Sequence, residues 1–191
     1  MRKLASKELL EQLKKDNQEI ISIVKNQYLL QSDEVLTYKA SENSWSVVEC
    51  IAHLNLAARH YIPEIETKLK QAQGKQAQHS LYYKPSLLGK YMVNSMLPKE
   101  DVITNKMKTF GGLHPSLNDS SVAVFNEFIA HQESLLALLE EASNYNLQKI
   151  KIQSLIRLVR FRLGDAFRFL TAHTIRHIHQ ANQVLKSQVA V

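Results

Sequence analysis

Residues 164–187, GDAFRFLTAHTIRHIHQANQVLKS, carry the clearest helical pattern in the chain. Phe167, Leu170, Thr174, His177, Ala181 and Val184 recur at the three-and-four spacing that marks one face of an α-helix. His177 falls near the centre of this stripe and His173 beside it. Residues four apart on a helix stand one above the other, so the H-x-x-x-H pair can offer two imidazoles to one ion. An imidazole within an apolar stripe needs partners for both nitrogens, which a metal and a further acceptor would supply. The alternative is a pair of structural histidines with ordinary hydrogen bonds. A third ligand from another helix would leave a coordination position open, as catalytic sites do.

Upstream, Ser46 and Glu49 form an S-x-x-E capping box, preceded by Trp45 where a hydrophobic staple to Cys50 would lie. A helix is expected from here, with its core stripe through Val47, Cys50, Ile51, Leu54, Ala58, Tyr61 and Ile65. His53 lies on the border of that stripe, a cleft-facing position between buried and exposed, and is the candidate third ligand. His60, two turns on along a similar face, is the plausible substitute. His179 should point to solvent, and His131 has no paired spacing.

Two further amphipathic segments are expected at Leu4 to about Leu30 and Ser120 to Ala142. QSDEVLTYKASEN reads as a loop, and PSLLGKYMVNSML as a short helix within an irregular region. KIKIQSLIRLVRF alternates as a strand would, but a lone strand has no partner, so an extended connection or short helix is expected. The whole predicts an all-α protein: one domain over 1–191, a four-helix bundle with a long crossover between its second and third helices.

Composition agrees. Five Gly and four Pro among 191 residues leave little punctuation for an all-β fold. The only cysteine, Cys50, excludes an intramolecular disulfide, suits a reducing compartment, and sits at an apolar helix position more suited to packing than to nucleophilic attack. No stretch is apolar for long enough to span a bilayer, and the N-terminus lacks a signal-peptide core, so a cytoplasmic location is expected. The sequence holds no glycine-rich phosphate loop, H-E-x-x-H motif or nucleophile elbow. The net charge of +6 resides in the stretch from Lys149 to Arg176, with seven basic residues against Asp165. This stretch is either a solvated face or an attractor for an anionic cosubstrate; no recognition-helix motif accompanies it to favour DNA. Arg176 is the candidate for orienting an anion at the mouth of the site while its charge stays solvated. Gln180, and Glu49 one turn before His53, are the candidates for holding the outer nitrogens of the ligands.

WSVVECIAHL (45–54) and HTIRHIHQAN (173–182) resemble the two signature segments of the DinB-like superfamily of metalloenzymes, and NKMKTFGGLHPS (105–116) resembles a connection found in one branch. The resemblance spans about Leu4 to Leu185. It implies a four-helix bundle with a divalent metal, usually zinc or nickel, held by His53, His173 and His177 with water completing the shell. It also implies thiol S-transferase or isomerase chemistry with a low-molecular-weight thiol such as bacillithiol or mycothiol. The leading expectation is a metal-dependent transferase or hydrolase acting on a small-molecule substrate. The alternative is a non-catalytic bundle that acts by homodimerisation or by binding a protein partner.

Overall fold

A computed structural model describes residues 3–73, 79–98, 113–115 and 119–189. The protein is predominantly helical. After a two-residue strand β1 (Leu4–Ala5), helix α1 (Ser6–Ile23) runs into a π-helical turn (Val24–Tyr28), where the single helix expected to Leu30 changes pitch. Tyr28 in this turn is fully buried, and its hydroxyl donates to Asn182 Oδ1 at 2.7 Å. The segment expected as a loop contains a short helix α2 (Asp33–Thr37), started by the Ser32 side chain accepting from Val35 N. Propensity for so short a helix is weak, and a single serine cap decides it locally.

Helix α3 (Val47–Ala72) starts at the capping box read from the sequence: Ser46 Oγ accepts from Glu49 N, and Glu49 Oε2 accepts from Ser46 N. Strand β2 (Tyr82–Tyr83) pairs antiparallel with β1, and α4 (Leu87–Met96) is the short helix expected in that region. Most of the expected crossover, including most of NKMKTFGGLHPS, lies outside the described residues. Helix α5 (Ser121–Glu141) follows a Ser120 cap and ends in a 3-10 turn (Ala142–Asn144). KIKIQSLIRLVRF proves to be its own partner: β3 (Lys151–Gln153) and β4 (Arg160–Arg162) form an antiparallel hairpin, correcting the expected connection or helix. Alternation over one half of this stretch was matched by alternation over the other, which a search for a distant partner strand overlooks. Helix α6 (Leu163–Val189) is the last described element.

Cross-helix bonds fix the direction of the four long helices. Asn17 with Thr171 and Tyr28 with Asn182 make α1 and α6 parallel. Asn55 with the Val124 carbonyl and Arg59 with Glu127 make α3 and α5 parallel. Lys14 with Glu140 and Lys25 with Glu133 run α1 against α5, and packing of Tyr61 on Phe169 together with His53 on His173 runs α3 against α6. A long connection from α3 to α5 is therefore required, because the chain must travel back along a helix of 26 residues, about 39 Å, before its parallel neighbour can begin.

The N-terminus of α6 is anchored by fully buried Asp165, which accepts from the Tyr83 hydroxyl and from Ser86 N and pairs with Arg168 at 3.8 Å. A side chain at Gly89 would collide with that carboxylate, so glycine lets α4 approach. The apolar core falls into two clusters along the helices. On α6 the first ends at Ala172 and the second begins at Ile178, and between them lie His173 and His177.

Candidate metal centre

His53 projects from the second turn of α3, and His173 and His177 from the middle of α6. All three are buried, at 4%, 7% and 8% exposure. For His53 this departs from the border position expected from the helical wheel. The reason is that its outward side is covered: Trp45 lies 4.8 Å from its ring, and Leu113 approaches from the connection before α5.

The hydrogen bonds fix which nitrogens face inward. The Nδ1–H of His53 donates to the Leu113 carbonyl at 2.7 Å, and the Nδ1–H of His177 donates to Gln180 Oε1 at 3.1 Å. In a neutral imidazole the other nitrogen then carries a lone pair. His53 Nε2 lies 3.1 Å from His173 Nε2, and the three histidines offer ligand atoms within 4.8 Å of one another. Ligands about 2.0–2.1 Å from a common ion are spaced about 2.8–3.4 Å apart for angles between 90° and 109°. The His53–His173 pair already has this spacing, so the donor set fits a divalent cation with imidazole ligands.

Electrostatics keeps the three imidazoles neutral. Burial, then the charges of His53 and Arg176, pull the His173 pKa down to about 3. Burial, then His173, His53 and Arg176, hold His177 well below the ordinary range, against the opposing Gln180 bond. Burial also lowers His53. Neutral imidazole is the form that binds metal, so the pocket is preset at neutral pH.

The sequence model of the DinB superfamily matches residues 8–181. The chain belongs to the DinB superfamily. No curated protein and no solved structure matches it. The match includes all three histidines, so the cluster lies inside the DinB-superfamily region.

Other candidates of this DinB-superfamily chain fall as follows. Glu49 has both oxygens engaged, one in the Ser46 cap and one with Lys39 at 3.1 Å. Arg176 is buried at 7% exposure rather than solvated, yet close enough for its charge to depress both imidazoles of α6. His60 lies away from the group, its Nε2 bonded to the Gln153 carbonyl of the hairpin at 3.0 Å. His179 is half-buried beside Gln183, and His131 lies 3.9 Å from Glu127. Cys50 is fully buried, and burial raises its thiol pKa, in keeping with a packing role.

Sequence reasoning missed three contributors. Trp45 stacks on His177 at 5.6 Å, Phe169 stacks on His173 at 5.8 Å, and the Leu113 carbonyl holds His53. From its position before the cap, Trp45 is expected only as a staple, and a backbone carbonyl has no sequence signature. Gln180 is the side-chain support that was readable, being three residues after His177 on the same helix face. Gln180→Ala should lower zinc affinity by about 10–100-fold while leaving the helical circular dichroism unchanged. A chelator competition giving wild-type affinity would remove Gln180 from that role.

Proposed function

We propose that this protein is a metal-dependent enzyme on a four-helix bundle, with His53, His173 and His177 holding a divalent cation, zinc or nickel. Its reaction is transfer of a low-molecular-weight thiol to an electrophile or hydrolysis of a small substrate. The observation carrying this reading is the convergence of the three imidazoles, two of them with Nδ1 fixed outward by carbonyl oxygens. A cation bound there supplies Lewis acidity, lowering the pKa of a thiol or water so that its anion exists near neutral pH. The chain's own residues set the conditions for this. Trp45 and Phe169 shield the imidazoles from water, and Leu113 and Gln180 hold two rings in the ligating tautomer.

Arg176 is the residue proposed to orient an anionic substrate or thiol. Its burial makes each bond to an anion stronger than a solvated guanidinium would make. Arg176→Ala should raise KM for an anionic substrate by about 10–100-fold, with metal content unchanged and partial rescue by Arg176→Lys. An unchanged KM would leave Arg176 a packing residue.

No helix among the described residues is long and apolar enough to cross a membrane, and a buried cysteine thiol fits the cytoplasmic setting proposed for such an enzyme. The deciding experiment is elemental analysis of protein purified without chelator or histidine tag. About one equivalent of zinc or nickel is expected. A metal-free protein that also takes up neither ion on addition would favour a non-catalytic bundle.

A further inference from the structure

Beside the imidazole cluster, α3, α5 and α6 enclose a cavity of about 20 Å³ lined by Leu54, Gln132, Leu135, His173 and Thr174 among others. It is large enough for one water, which needs roughly 10–15 Å³. Gln132 is 4% exposed, and its Oε1 has no hydrogen-bond partner among the described residues. A buried, unpaired amide oxygen is costly unless something satisfies it. Across the cavity stands His173, the one imidazole of the three whose Nδ1 has no hydrogen bond among the described residues. The Thr174 hydroxyl donates to the Leu170 carbonyl at 3.0 Å, leaving its oxygen able to accept.

We infer that this cavity is a water site, and that Gln132 is a positioning residue holding His173 through that water. The His173 Nδ1–H donates to the water oxygen, and the water donates to Gln132 Oε1 and to Thr174 Oγ1. Three partners are what a buried water ordinarily makes. The water leaves the His173 Nε2 lone pair facing His53 and His177, so each ring then has an outer acceptor: a backbone carbonyl for His53, an amide for His177 and a water for His173. The inference rests on the three-histidine reading and adds a residue to it that does not touch the ion.

The test uses the full chain, zinc alone as probe, and two variants. Gln132→Leu removes the acceptor and should weaken zinc binding by about 10–100-fold. The same change should shift the melting temperature of the metal-free protein only slightly, because the amide and the water it holds are exchanged together for an apolar side chain. Gln132→Glu keeps an acceptor oxygen and should restore most of the affinity. A crystal structure should show ordered water within hydrogen-bonding distance of both Gln132 and His173 Nδ1 in wild type but not in Gln132→Leu. Equal zinc affinity of wild type and Gln132→Leu, or a wild-type cavity without water in that position, overturns the inference alone. A wild type that binds no zinc overturns the metal reading and this inference with it.

Discussion

Replacing His177 by alanine is expected to abolish stoichiometric zinc binding, while His179→Ala, two residues on, leaves it intact. His177 supplies one of three converging donors, whereas His179 is half-buried and faces Gln183. Loss of a direct ligand should exceed the roughly 10–100-fold that loss of an outer partner costs. The variant should also be less stable without metal by about 2 kcal/mol, because truncation leaves a gap beneath Trp45, which stacks on the ring. Elemental analysis of the two purified variants checks the first part and thermal melts in chelator check the second. Equal metal content in both variants would refute the assignment.

The second large effect is acid lability of the metal-free protein. His173 has its pKa pulled down to about 3, and His53 and His177 are also lowered. In the unfolded chain each imidazole titrates near 6.5, so between that value and the folded one the unfolded state binds more protons. Stability therefore rises with pH in this window: it is fully present above about 6.5 and lost as pH falls toward 3. For His173 alone the full loss, reached below about pH 3, is on the order of 5 kcal/mol. Denaturant titrations at pH 7 and pH 4.5 should show a fall in midpoint that the His53→Gln, His173→Gln, His177→Gln triple variant largely lacks. A wild type equally stable at both pH values would mean that the buried imidazoles are not being held neutral.

Much of the helical framework could be read from local patterns, because each rests on residues adjacent in sequence. The Ser46 cap fixed the start of α3, and the three-and-four stripe fixed α6 nearly to its ends. His173 and His177 were legible for the same reason, being neighbours on one helix. What escaped was set by contacts between distant segments. The wheel placed His53 at a boundary because the Trp45 and Leu113 cover comes from outside α3. Arg176 seemed solvated for a similar reason, and the hairpin was misread because its pairing joins two halves of one segment. Gln132 shows no sign in the sequence of its proximity to His173, 41 positions away, since only the packing of α5 against α3 and α6 creates their shared cavity.

The up-down-down-up course of the four long helices also bears on how the centre comes into being. His53 and His173 meet across a separation of 120 residues. Closing such a loop carries an entropic cost that only late, long-range docking repays, so a nascent or partly folded chain holds at most the local pair on α6. On the proposed metal reading, a bound cation should therefore act as a latch on the finished topology, slowing unfolding according to its concentration and affinity and leaving the folding rate nearly unchanged.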